Sequence, residues 1–468
     1  MKATKISRVL IVFFCVLTLN LLLTGIPKEQ KSPLKTVLTN CNIIDCTGND
    51  PKNNMTIVIV GDIISEIRSG LYKSSASEEN VRVINLENGY VLPGLWNVHM
   101  HMAALLPDPN HLQDNESLPS AVIRAGLNAM DGLRHGITSI RTVGERGYLD
   151  VAWRDAFDNG YFMGPRIFAS GDVVSTTGGH RGDIAGGADG VAEIRKSIRT
   201  QIQNGVNWIK IMEVEMLDDE VEAAVKVAHH NGLRVASHSK EPATYRSVKL
   251  GVDSIEHGYG LKDETIKLMA EKGTFYVPTI ICNLSDQYIK ERDSRLAKLG
   301  YSEDEKVAWG RTLVAYADER SQEHALHQRQ ALQKAVKAGV KVCTGSDSTP
   351  IGEIGILEIE QFVLSGISEM DTLIAATRNC ADLCSVLDKL GTVEEGKLAD
   401  LLVVGDNPLE NISNIRKVKM VFKDGVLVDL NQPQGTASYW DYFRSNKLKK
   451  GYLANAEKAA GFERGKTK

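Results

Sequence analysis

Cysteine and proline are scarce in this chain of 468 residues, at 7 and 13. None of the cysteines forms a C-x-x-C pair, so neither a disulfide-stapled scaffold nor a cysteine-rich zinc module is in view. A proline count well below the 41 glycines excludes collagen and proline-rich linkers. A surplus of one charge is missing too. The 55 basic and 59 acidic residues leave −4, without the strongly basic footprint of a nucleic-acid binder. A second long hydrophobic run is also lacking, which excludes a multi-span membrane protein. What remains, 43% hydrophobic and 24% charged, is the composition of a globular protein, and a small molecule is the expected partner.

The one long apolar run is at the start. Lys2, Lys5 and Arg8 precede the stretch from Val9 to Gly25, which reads as the basic and apolar regions of a signal peptide over residues 1–25. A secreted, periplasmic or other extracytoplasmic location is expected. Left uncleaved, the segment is an N-terminal anchor, because about 17 to 20 apolar residues just span a bilayer. In an oxidising compartment Cys41 and Cys46 could bridge. Cys343, inside an apolar run, reads as a small buried hydrophobe.

Residues 35–89 alternate apolar and polar positions between turns, and residues 395–430 return to the same pattern. Together they predict a small composite β-sandwich domain. Between them, residues 90–394 carry eight short apolar runs separated by helical stretches, the pattern of an α/β fold with a (β/α)8 TIM-like barrel. The runs are 90–98, 137–143, 166–171, 208–212, 234–239, 254–258, 275–279 and 340–347. A long connection at 280–339 reads as two or three helices, and another helix is expected near 370–387. The basic tail, 434–468, reads as a surface segment or a contact in a homo-oligomer.

His99 and His101 end the first run. Residues i and i+2 of a strand face one side, so both imidazoles can enter the barrel mouth at the end where active sites of this fold lie. His238, Glu256-His257 and Asp347 end the fifth, sixth and eighth runs. Buried imidazoles and carboxylates are costly without partners, and a metal supplies them. Zinc is the default for such ligands. Lys210 stands between two isoleucines in the fourth run. A buried lysine has a depressed pKa, and a neutral amine can take up carbon dioxide to form a carbamate able to bridge two cations. His111, His135, His229, His230, His324 and His327 read as ordinary surface residues.

Taken together, HMH after LPGL, the lone strand-four lysine, SHS, SIEHG, GSD and the closing LGTVEEGKLADLLVVGDNPL resemble the amidohydrolase superfamily. The match is closest to its imidazolonepropionase-related branch, which includes metal-dependent Xaa-Pro dipeptidases and carboxypeptidase-like enzymes. The resemblance spans residues 35–430. It implies two divalent metal ions, with zinc expected: His99, His101 and Asp347 on the buried ion, His238 and His257 on the outer one. N6-carboxylysine at Lys210 and a hydroxide would bridge them. His180, in the Ser175–His180 loop, would donate to the scissile carbonyl, and Asp347 would carry the proton to the leaving amine. Arg181 and Lys240 are candidates for a substrate carboxylate. The implied activity is hydrolysis of an amide C–N bond in a dipeptide, of Xaa-Pro type, or in an N-acyl amino acid. A cyclic amide or lactone is the alternative on the same site. Asn97 stands where such sequences usually have aspartate.

Overall fold

The computed structural model describes residues 34–73, 80–104, 116–182, 186–282, 322–347 and 349–431. The expected export signal, the basic tail and most of the 280–339 connection lie outside the described residues.

The chain opens with β1 (Lys35–Ile43), β2 (Lys52–Val60), β3 (Ile63–Ser69), β4 (Val81–Asn85) and β5 (Tyr90–Pro93). β1 pairs antiparallel with β2 along one edge and parallel with β4 and then β5 along the other. A second set of strands follows in a parallel arrangement. β6 (Leu95–Met100), β7 (Ile137–Thr142) and β8 (Arg166–Phe168) form one sheet, and β9 (Trp208–Met212), β10 (Arg234–Lys240), β11 (Ser254–Tyr259) and β12 (Phe275–Val277) form another. Helices α1 (Leu118–Arg134), α2 (Leu149–Asp158), α3 (Gly190–Gln203), α4 (Asp218–His230), α5 (Ala243–Leu250), α6 (Asp263–Lys272) and α7 (Gln322–Lys337) fall between or after these strands. Their starts follow local chemistry. Ser117 caps α1, accepting from Ser120 N at 3.4 Å, with a proline in the first turn, and α4 opens on Asp218, Asp219 and Glu220. This is a parallel, TIM-barrel-like α/β arrangement.

Backbone hydrogen bonds join the two parallel sheets on both sides. Val174 N donates to Lys210 O and Met212 N to Val174 O, both at 2.9 Å. Cys343 N donates to Tyr276 O at 2.9 Å, and on its other side the same segment meets β6, with Val98 N donating to Thr344 O at 2.9 Å and Ser346 N to His99 O at 3.0 Å. The expected eighth strand at 340–347 is therefore an extended segment that shares a few rungs with each neighbour, and a single bridge links Tyr276 and Val342. Gly345 sets the close approach: a Cβ there would lie 2.5 Å from His99 Cβ.

After α8 (Ile351–Leu364), α9 (Glu369–Ala375) and α10 (Arg378–Leu383), the chain returns to the first sheet as β13 (Leu401–Val404), β14 (Val418–Lys423) and β15 (Val426–Leu427). The N- and C-terminal strands share one hydrogen-bonded sheet, in the order β15-β14-β13-β5-β1-β2-β3 with β4 beside β1. Alternation assigns its faces. Val91, Leu401 and Val403 enter the core of the small sheet, while Leu92, Leu402 and Val404 pack with α1 and α8. Arg416 adds a polar tie to α8, with Nε 2.7 Å from Glu360 Oε1 and one terminal nitrogen 2.9 Å from Glu353 Oε2.

Three expectations change. The 90–98 run is two strands in two sheets, turning at Gly94, where a Cβ would lie 2.0 Å from Thr138 Oγ1. The single helix at 370–387 is broken into α9 and α10. Ala375 and Ala376 turn their carbonyls to Thr344 N and Trp96 N, at 3.3 and 2.9 Å, in place of helical partners. Cys41 and Cys46 are separate buried thiols, Cys41 donating to Met55 O and Cys46 facing Ile44 O. Burial pushes both up to about 12. No helix among the described residues is long and apolar enough to cross a membrane.

Candidate metal centre

The strand ends converge on a cavity of about 470 Å³ lined by eight of the nine candidate residues, His99, His101, His180, Arg181, Lys210, His238, His257 and Asp347. Lys240 lines it as well, from the exposed end of β10. His99, His257 and Asp347 bring ligand atoms within 4.8 Å of one another. Asp347 Oδ1 is 3.2 Å from His101 Nε2 and 3.6 Å from His99 Nε2, and its Oδ2 is 4.0 Å from His257 Nε2. The His238 ring centroid is 4.6 Å from that of His257 and 5.0 Å from that of His180, which stacks over it at 25°.

Three of the imidazoles have their tautomer fixed from behind. His101 Nδ1 faces Gly144 O at 2.7 Å, and a carbonyl only accepts, so Nδ1 carries the proton. His99 Nδ1 faces Glu256 Oε2 at 2.6 Å, with the same consequence for a carboxylate. His257 Nδ1 lies 2.6 Å from Thr279 Oγ1, whose own hydrogen is spent on Pro278 O at 2.7 Å. In the neutral ring each Nε2 lone pair is thereby left facing the cavity, the arrangement that orients metal-binding histidines. Burial holds His101 below the usual imidazole range, and His238 and His257 well below it. Neutral rings are the ligating form.

Lys210 is 1% exposed and its Nζ has no hydrogen-bond partner among the described residues. Burial lowers its pKa to about 8, against the pull of Glu256 and Asp347. Burial alone would raise the Asp347 carboxyl, but while no metal holds the rings, charge on His99 and hydrogen bonds from His101 and His99 protonated at Nε2 outweigh it and hold the group well below the ordinary carboxylate range. His257, Thr279, Asp347 and Arg181 all have positive φ, between 45° and 66°. Such backbone is sparsely populated by non-glycine residues and gathers at functional sites.

A buried support beneath the ligands was not read from the sequence. Arg141 donates through Nε to Val98 O at 2.6 Å and pairs with Glu256 Oε1 at 2.7 Å, while Ser254 Oγ donates to the same carboxylate at 2.6 Å. Burial raises the Glu256 carboxyl, yet Arg141 and His99 together hold it far below its ordinary value, so it stays ionised behind His99. The signal was present as an arginine inside the apolar run ITSIRTV and a glutamate adjoining His257. Asn97, in place of the usual aspartate, holds the segment bearing Asp347: its Nδ2 donates to Ser346 Oγ at 2.7 Å and its Oδ1 accepts from Ser346 N at 3.1 Å. Arg141→Met leaves Glu256 buried without its counter-ion, and a loss of about 3–5 kcal/mol is expected in urea unfolding at pH 7. An unchanged unfolding midpoint would show that His99 and Ser254 suffice.

The model of the amidohydrolase family matches residues 90–428. The chain is 27% identical over 425 residues to an ochratoxinase of Aspergillus niger, covering 80% of this chain and 82% of that one. Among solved structures, a Xaa-Pro dipeptidase with bound methionine in its active site is 31% identical, with TM-score 0.71 over 84% of this chain and all of its own (100%). A prolidase complexed with N-methylphosphonate-L-proline is similar at 27% identity and TM-score 0.69, over 84% and 99% of the two chains. These likenesses fit the residue constellation at the strand ends, and the chain belongs to the amidohydrolase family, hydrolases of carbon–nitrogen bonds on a TIM-barrel-like α/β fold.

Proposed function

We propose that this protein hydrolyses the amide bond of a dipeptide, of Xaa-Pro type, or of an N-acyl amino acid at a pair of divalent metal ions, with zinc the expected metal. The observation that carries this reading is the Lys210 amine, buried and without a partner among the described residues, in a ring of His99, His101, His238, His257 and Asp347. A buried amine with a lowered pKa is suited to carboxylation, and a carbamate at Lys210 would give it the partners it lacks. His99, His101 and Asp347 would hold one ion and His238 and His257 the other, with N6-carboxylysine 210 between. The eight strand segments are taken as one closed ring, supported by the backbone hydrogen bonds on both sides of the two sheets.

Bound metal ions lower the pKa of water from 15.7 to about 7 and polarise a carbonyl oxygen. The chain's own groups do the rest. Asp347 takes a proton from the attacking water and hands it to the leaving nitrogen. The C–N bond breaks, the hydroxyl stays on the carbonyl carbon, and an amine leaves. His180, neutral because burial and Arg181 lower its pKa, donates an N–H to the carbonyl oxygen from above His238. Arg181 and Lys240 pair with the carboxylate of the leaving amino acid. Export from the cytoplasm is part of this reading and rests on the basic and apolar start of the sequence.

A panel of dipeptides, N-acyl amino acids, cyclic amides and lactones, assayed with zinc and bicarbonate, is expected to give turnover in the first two classes. Turnover confined to the rings would replace the substrate assignment. Exhaustive chelation is expected to remove two metal ions per chain and abolish activity, both returning on add-back. Full activity with one ion, or with none, would end the paired-metal reading.

A further inference from the structure

A second cavity of about 360 Å³ opens beside the first and shares Glu215 as a wall. Its other walls are the Thr176–Gly179 loop, Asp189, Leu217 and Glu220. Its carboxylates differ in what they already hold. Glu220 accepts from Gly190 N at 2.6 Å and Leu217 N at 2.7 Å, and Asp189 accepts from Thr177 N at 3.0 Å. Glu215 has no hydrogen-bond or ion-pair partner among the described residues, and it is the one carboxylate besides Asp347 that lines the first cavity there. Thr176 is only 7% exposed and lines the second cavity, and its Oγ1 is without a partner among the described residues. An exposed carboxylate and a buried hydroxyl, neither with a partner among the described residues, line the same cavity and make it a donor-seeking surface, opposite in kind to the cationic Arg181 and Lys240 of the first cavity.

We propose that the second cavity is a subsite for a cationic nitrogen on the acyl side of the substrate, with Glu215 as counter-ion and Thr176 Oγ1 as acceptor. The proposal rests on the amide-hydrolase reading of the first cavity and narrows it, from amides in general to those whose acyl part carries an ammonium or guanidinium. Two sources supply that chemistry: the α-ammonium of a free dipeptide, or the side chain of an N-terminal lysine or arginine. A site built to bind a charged donor discriminates strongly against the analogue that lacks it.

The test compares the zinc-loaded enzyme with Glu215→Gln and Thr176→Val on three substrates sharing one leaving group: alanyl, N-acetylalanyl and N-acetyllysyl. The wild type is expected to favour a cationic substrate over the N-acetylalanyl one by about tenfold or more in kcat/KM, chiefly through KM, and Glu215→Gln to bring that ratio close to one. Preference for the alanyl substrate names the α-ammonium, and preference for N-acetyllysyl names the side chain. A wild-type ratio near one, or a ratio unmoved by Glu215→Gln, overturns the subsite. Calorimetric titration of the same proteins with alaninamide, lysinamide and propanamide separates this from failure of the hydrolase reading. Tighter wild-type binding of a cationic amide, lost in Glu215→Gln, sustains the subsite even if no substrate turns over. Equal binding of all three amides removes it whatever is hydrolysed.

Discussion

Asp347→Asn is expected to lower kcat by about 10²- to 10⁴-fold, the range of a positioned proton transfer, in a chain that folds as the wild type does. The substitution keeps the shape of the side chain and removes its capacity to take a proton. Position 347 suits asparagine unusually well, because its φ of 45° lies in the left-handed region, where asparagine is enriched among non-glycine residues. Asp347 also faces three Nε2 atoms, at 3.2, 3.6 and 4.0 Å, so part of any loss could arise from weaker metal binding. Metal content measured beside turnover separates the two roles. A variant that keeps its ions and loses kcat identifies the proton carrier. One that loses ions and kcat together identifies Asp347 as a ligand first, and wild-type turnover would exclude it as the carrier.

The chemistry of the mouth was legible because polar residues in apolar runs have few explanations. His99 and His101 two apart on a strand, Lys210 between isoleucines, and histidines ending two further strands all required a common partner, and the structure lines one cavity with them. What the sequence hid was of another kind. The turn at Gly94 depends on Thr138, a residue 44 positions away that leaves no room for a Cβ, and no local pattern announces it. Helix α8 is buried on nearly every side, so it lacks the one-faced apolar stripe by which helices are recognised. The break between α9 and α10 serves β6 at Trp96 and the extended segment at Thr344, whose N–H groups donate to the freed carbonyls. Arg141 and Glu256 meet only when β7 and β11 face each other across the interior, which spacing along the chain does not encode. Glu215 was passed over because a glutamate among neighbouring acids reads as a solvated surface.

Lys210→Met is expected to move stability and activity in opposite directions. In the metal-free protein the amine is buried, without a partner among the described residues, and its pKa falls from 10.5 to about 8, a difference worth on the order of 3 kcal/mol. The sign follows from proton counts. Between pH 8 and 10.5 the unfolded chain holds a proton on this group that the folded chain has shed, so stability rises with pH across that window and the penalty is complete below it. Methionine has similar length and no charge to desolvate. Metal-free Lys210→Met should therefore be more stable than metal-free wild type at pH 7, by about 1–3 kcal/mol in urea unfolding, and should lack the wild-type gain between pH 8 and 10. With metal supplied the order reverses, because methionine cannot form a carbamate: the variant should bind fewer ions and lose turnover. A metal-free variant less stable than wild type, with no wild-type rise above pH 8, would mean that the amine finds a partner in solution, and the case for its carboxylation would lose its physical ground.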